Sequence, residues 1–200
     1  MLKLYDFQPS GNGYKVRLLL TQLGLPFELV QLDILKKETR TPDFLAKNPN
    51  GRIPCLRLED GTHLWESNAI LFYLAEGTPF LPAGRLERAH ALQWMFFEQY
   101  SHEPYIAVVR SWHHFGLLEA NRAQLADRVE RGYAALGVME SRLANHPYFA
   151  SDRYSIADIA LYAYTHVAPE GKFDLAPYPA VRAWLERVRA QPKHVPITVV

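Results

Sequence analysis

Cysteine is almost absent from this chain: Cys55 is the only one in 200 residues. An intrachain disulfide is therefore impossible, which fits a reducing compartment. Long apolar runs are missing too. No stretch approaches the ~18 apolar residues of a membrane span, and the opening MLKLYDFQPS holds no apolar segment of secretory length. We therefore expect a cytoplasmic protein with no membrane partner. An excess of one charge sign is also lacking. The 22 lysines and arginines face 21 aspartates and glutamates, a net charge of +1, and the basic residues are scattered along the chain. That balance argues against nucleic acid as a partner. His113 and His114 are adjacent and project to different faces of a helix, with no i, i+4 partner nearby, so no metal site is expected. Internal repeats and low-complexity segments are absent as well.

What remains is an ordinary globular composition, 48% apolar and 22% charged. Leu2, Leu4 and the run from Tyr5 to Phe7 predict a strand ended by Pro9. Val16, Leu19, Leu20 and Leu23 recur at i, i+3, i+4 and i+7, one face of a helix that Gly24 stops. FELVQLDI predicts a second strand, and TPDFLAKNP a short helix entered through Thr41 with Pro42 at its first position. IPCLRLE and THLWE read as strands flanking a turn at Asp60-Gly61, and SNAILFYLAE as a helix. The order is β-α-β-α-β-β-α within residues 1–77. GTPFLPAG (77–84) is rich in proline and glycine and predicts a linker over 78–84. Residues 85–200 read as helical throughout. The long aromatic stretch 85–115, the apolar spacing of 121–145 and the terminal YPAVRAWLERVRAQP carry that reading. YSIADIALYAY opens on a capping box, Ser155 with Asp158, flanked by Tyr154 and Ile159 as a staple. An α/β domain followed by an all-α domain is the architecture these patterns imply.

One stretch stands apart. SGNGYKVR, residues 10–17, places a serine and an asparagine at the start of the first helix, directly after a strand. Free N–H groups and the helix dipole favour an anion there. A plain N-cap explains the same residues, because serine and asparagine are preferred caps. Glu66 and Ser67, with Ser67 as the cap, open a second such helix, and the same two readings apply.

Taken together, SGNGYKVRL, NPNGRIPCL, LWESNAILFYL and the YSIADIAL capping box resemble the glutathione transferase superfamily over essentially the whole length. The resemblance implies a thioredoxin-like N-terminal domain, an all-helical C-terminal domain and a homodimer. It also implies glutathione as co-substrate, no permanently bound cofactor, and a small hydrophobic electrophile as second substrate. By that likeness Ser10 and Asn12 are the thiolate donors. The serine matches the residue of the hydroxyl-using classes, and the asparagine matches one found beside it in some bacterial classes. Dipole and donors together are worth roughly one to two pKa units on a thiol, with no base required. Pro54 would be cis, with Ile53 offering its main chain to the cysteinyl part. Glu66 would accept from the γ-glutamyl ammonium and Ser67 would bind the γ-glutamyl carboxylate. Lys36, Lys37 and Arg52 are candidates for the glycyl carboxylate.

Tyr5 and Tyr14 are weaker rivals for the thiol, one in the first strand and the other inside the helix. Cys55 does not occupy the helix-start position that the cysteine-using classes need; Ser10 does. Its strand position points inward, where free cysteine is inert. Tyr105, Val109 and Trp112 in YIAVVRSWHHF are candidate walls for the electrophile, although a core stripe explains them as well. The activity implied is transfer of alkyl or aryl groups to glutathione, a detoxification chemistry. The alternatives are glutathione-dependent disulfide reduction without a protein cysteine, and a non-catalytic binding protein of the same fold. A maleylacetoacetate-type isomerase is disfavoured, because its usual serine–cysteine loop is absent.

Overall fold

Strand β1 (Leu2–Asp6) occupies an inner position of a four-stranded sheet ordered β2-β1-β3-β4. The structure, a computed structural model, describes residues 1–199. The chain forms two units: residues 1–77 joined by those from Pro192 onward, and residues 78–191.

In the first unit β1 runs parallel to β2 (Phe27–Gln31), with Leu4 opposite Leu29. It runs antiparallel to β3 (Cys55–Arg57), with Leu4 opposite Leu56, and β3 pairs antiparallel with β4 (His63–Trp65). A parallel pair needs a crossover, and helix α1 (Gly11–Leu23) supplies it. The N-terminus of α1 therefore follows the carboxyl end of β1 after four residues, the edge where α/β sheets hold ligands. Gly24, in the left-handed region with φ 71°, closes α1 through Schellman-type bonds to Leu20 and Thr21. Helix α2 (Pro42–Leu45) begins with Thr41 Oγ1 accepting from the Phe44 N–H. Helix α3 (Ser67–Ala75) packs on α1. Leu4, Leu18, Leu19, Leu20, Leu56, Ile70 and Leu71 form the fully buried core between these elements.

The sequence reading assigns the last residues to the helical domain, and the structure differs. Tyr14 donates its hydroxyl to the Val195 carbonyl at 2.7 Å. Arg17 donates to the carbonyls of Ile197 (3.1 Å) and Val199 (2.7 Å), and Gln8 Nε2 donates to that of Ile197. Residues 192–199 are thus an irregular strap on the first unit. Their backbone carbonyls find donors on α1 and the loop before it, which no hydrophobic periodicity signals.

In the second unit the long aromatic stretch is two helices, α4 (Arg85–Phe97) and α5 (Glu103–His114), separated by a π-helical turn at Glu98–His102. Helix α6 (Arg122–Leu143), α7 (Ile156–Thr165) and α8 (Pro179–Arg189) follow. Every residue of α7 is buried, as its nearly uninterrupted apolar sequence requires. Its capping box forms in both directions. The buried Asp158 carboxylate accepts from the N–H and hydroxyl of Ser155, from the Phe149 N–H and from Trp184 Nε1 at 2.9 Å. Trp184, fully buried, lies edge-on to Phe149 and Tyr162.

Candidate functional site

Four residues separate β1 from α1, and the chemistry begins among them. Ser10 has extended backbone angles, so its side chain turns back over the first turn and accepts from the Gly13 N–H at 3.3 Å. It is therefore a cap. A hydroxyl carries one donor and two acceptor lone pairs, so capping occupies an acceptor and leaves the proton available to a ligand. The two readings of Ser10 do not exclude each other.

The loop is held from below. Asp6 is fully buried and accepts from the Phe7 N–H at 2.7 Å and from Arg17 Nε at 3.0 Å. Burial pushes its carboxyl up to about 6, against the pull of the Arg17 guanidinium. Arg17 also donates to the Gln8 carbonyl at 2.7 Å, so one guanidinium ties β1, the loop and the C-terminal strap together. Gly13 lets the helix sit this close. A Cβ there would fall 1.6 Å from Asp6 Oδ1, a contact no side chain tolerates.

Asn12 is the second candidate donor, and its carboxamide is oriented. Its Oδ1 accepts from Lys15 Nζ at 2.7 Å and from the Ser67 hydroxyl at 3.2 Å. Lys15 Nζ also reaches Ser67 Oγ, at 3.3 Å. Ser67 is the first residue of α3, one place later than the sequence expectation, and the cap position is taken by Glu66. Glu66 is exposed and sits at φ 71°, a left-handed value unusual for a residue with a side chain. Such strain collects at functional positions. The two helix starts picked out in the sequence therefore meet through side chains, at Asn12 and Ser67.

A cleft of about 540 Å³ opens beside them, lined by Ser10, Asn12, Ile34, Lys37, Thr39, Arg40, Gly51, Arg52 and Ile53. Ile53 is joined to Pro54 by a cis peptide, as the resemblance implies. Among the described residues Lys37 and Arg52 make no ion pair, and Arg40 donates to the Asn50 carbonyl at 3.0 Å. The lining thus combines the hydrogen-bonding groups of Ser10 and Asn12 with the cations Lys37, Arg40 and Arg52, which suits a ligand with negative groups. Lys36 is outside this lining and pairs with Asp33 at 3.3 Å. Glu66 and Ser67 are not among the lining residues; they are connected to the cleft through Asn12.

Several sequence candidates have other work. Tyr14 is fully buried and bonded to the C-terminal strap, and Tyr5 packs edge-on to Phe44. Cys55 is buried, and desolvation pushes its thiol up to about 11, far from a reactive thiolate. Val109 is fully buried within the helical unit, and Trp112, also buried, has the Arg128 guanidinium 5.4 Å from its ring. Tyr105 is half-buried under Arg131. Lys15 and Arg40 are absent from the sequence candidates. A signal for Lys15 does exist: Tyr14, Val16, Leu18, Leu19 and Leu20 surround it with apolar residues on every face of α1, so a charge there must find partners inside. Arg40 has no such signal, because a short loop brings it to the cleft.

Comparison with known proteins agrees with this geometry. Residues 1–76 match the family described as Glutathione S-transferase, N-terminal domain, and residues 89–192 match its C-terminal domain. The disulfide-bond oxidoreductase YfcG of Escherichia coli K12 is 36% identical over 203 residues, covering 96% of this chain and 92% of that protein. The crystal structure of a glutathione S-transferase from Pseudomonas fluorescens Pf-5 is 57% identical, superposes with a TM-score of 0.96 and covers 98% of both chains. The glutathione transferase URE2P6 from Phanerochaete chrysosporium, solved in complex with oxidized glutathione, is 27% identical. It has a TM-score of 0.87 and covers 96% of this chain and 92% of its own. With both halves matched and a crystal structure more than half identical, this chain belongs to the glutathione S-transferase family.

Proposed function

We propose that this chain binds glutathione at the start of α1 and stabilises its thiolate for attack on a small hydrophobic electrophile. The observation that carries the reading is the pair of helix starts joined at Asn12 and Ser67 beside a cleft whose lining includes Lys37, Arg40 and Arg52. Ser10 Oγ and Asn12 Nδ2 donate to the sulfur, and the first amides of α1 add their dipole. The thiol proton leaves to solvent, and the sulfur lone pair forms a bond to the electrophilic carbon. Either that carbon's bond to its leaving group breaks, or its π bond breaks toward the adjacent atom, which takes a proton from solvent. The Ile53 main chain beside Pro54 holds the cysteinyl part. At the start of α3 the Ser67 main-chain N–H binds the γ-glutamyl carboxylate, its hydroxyl proton being held by Asn12, and Glu66 accepts from the ammonium. Lys37 and Arg52, with Arg40 added by the geometry, hold the glycyl carboxylate. In this reading the protein works as a cytoplasmic homodimer in detoxification and carries no permanent cofactor.

A second reading is favoured by the 36% identity to a disulfide-bond oxidoreductase. The same bound thiolate would attack a disulfide sulfur and expel the other sulfur as thiolate. A second glutathione would then resolve the mixed disulfide, giving oxidised glutathione and the reduced product. Buried Cys55 takes no part. Parallel assays separate the readings: conjugation of chlorodinitrobenzene supports transfer, and glutathione-dependent reduction of hydroxyethyl disulfide supports the alternative. Glutathione binding by calorimetry with neither activity points to a binding protein. No binding at all refutes all three. Under the first two readings, Glu66→Ala weakens binding about tenfold or more, the loss of a charge-assisted bond to the ammonium.

A further inference from the structure

Lys15 is fully buried, and its ammonium lies 2.7 Å from Asn12 Oδ1 and 3.3 Å from Ser67 Oγ. Ser67 in turn donates to the same Asn12 oxygen at 3.2 Å. Three polar groups thus close a triangle between the first turn of α1 and the first residue of α3. The cap of α1 is Ser10, so the ammonium is not there to close the helix end. Lysine is seldom buried without partners of this kind.

We propose that Lys15 is a positioning residue: it sets the orientation of the Asn12 carboxamide and couples it to Ser67, so that thiol activation at one helix start depends on the other. The inference rests on the functional reading above. An ammonium can only donate, so of the two ends of the amide only the oxygen can face it. The Ser67 proton points to the same oxygen. Nδ2 is then turned to the opposite side of the carboxamide, and Asn12 lines the cleft. Asparagine without such a partner has two orientations of similar energy, one of which aims carbonyl lone pairs at a sulfur anion. Lys15 acts with the Ser67 hydroxyl against that orientation.

The test is the pKa of the bound glutathione thiol, followed by ultraviolet thiolate absorbance in Lys15→Met, Asn12→Ala and the double variant. Lys15→Met raises it by about one unit, a tenfold loss of thiolate at a pH below the pKa. The double variant is no worse than Asn12→Ala alone, because both changes remove one oriented donor. A purely structural role predicts neither the shift nor the non-additivity. Asn12→Asp decides the matter if Lys15→Met does not fold: it keeps an oxygen facing the ammonium and replaces the donor nitrogen with an acceptor, so the thiol pKa rises. A wild-type thiol pKa in folded Lys15→Met overturns the inference while leaving the functional reading intact, as do additive effects in the double variant. A wild-type value in Asn12→Asp overturns the inference together with the donor role of Asn12. Failure of the wild type to bind glutathione overturns that reading and this inference with it.

Discussion

Two helical glycines, Gly13 and Gly137, should respond to the same substitution with opposite signs. At Gly13 an added methyl would lie 1.6 Å from Asp6 Oδ1, 2.1 Å from Cγ and 2.3 Å from Oδ2. Normal carbon contacts are ~3.5–4.0 Å, so α1 and β1 must separate by well over an ångström, or the carboxylate must swing away. Swinging away breaks its bonds to Arg17 and the Phe7 N–H, both inside the core. Overpacking typically costs about 1–3 kcal/mol, and stranding one partner of a buried ion pair about 3–5. The two costs are alternatives, since a shift that relieves one avoids the other. Against either stands the gain from replacing a helical glycine, up to about 1 kcal/mol. The cheaper alternative governs, and with so close a contact at the upper end of overpacking a net loss of about 2 kcal/mol is expected for Gly13→Ala. Glutathione binding weakens with it, because Ser10 and Asn12 belong to the same turn. At Gly137, within α6, nothing lies within 4 Å of the added methyl, and Gly137→Ala should stabilise by about 0.5–1 kcal/mol. Urea unfolding followed by circular dichroism, with glutathione affinity by calorimetry, measures both variants. A Gly13→Ala protein as stable as wild type, with unchanged affinity, refutes the close approach and the support it gives the loop.

Other expectations follow from the buried groups. Cys55→Ala should keep wild-type turnover, and native protein should resist iodoacetamide near neutral pH, because the thiol is buried and pushed up to about 11; rapid alkylation contradicts this. Asp158→Ala strands the Ser155, Phe149 and Trp184 donors at once and should cost about 3–5 kcal/mol by thermal unfolding. A loss below about 1 kcal/mol would show that the node matters little. For Asp6 the folded value is about 6 against 3.8 unfolded, so between those limits the folded chain keeps a proton that the unfolded chain releases. Its contribution to stability is therefore full below about pH 4, falls as pH rises to about 6 and is level beyond. Wild type should lose stability relative to Asp6→Asn across that window, and a gain contradicts the assignment.

Local grammar carried much of this fold in the sequence. Gly24, Thr41-Pro42 and the Ser155–Asp158 box each state a helix boundary through a backbone requirement, and each appears where its chemistry demands. Non-local geometry left less trace. The strap 192–199 is held by carbonyls accepting from Tyr14, Arg17 and Gln8, and backbone acceptors look alike at every position. Val109 and Trp112 share their apolar character with any core residue, so spacing cannot separate a pocket wall from a packed interior. Ser67 illustrates a finer limit. A serine at a helix start reads as its cap, yet a one-residue shift hands the cap to Glu66 and frees the hydroxyl for Asn12. Lys15 is legible only as a charge among apolar neighbours; Asn12 on its own helix is one partner, and the other, Ser67, comes from a helix 52 residues away.

The central claim is that Ser10 and Asn12 hold the sulfur of bound glutathione as a thiolate. The direct measurement is the ultraviolet titration of the bound thiol in wild type, Ser10→Ala and Asn12→Ala. The account predicts a wild-type pKa about one to two units below the ordinary thiol value of ~8.5, rising in at least one variant. A bound thiol that titrates at its ordinary value, or a depressed value unchanged in both variants, contradicts it.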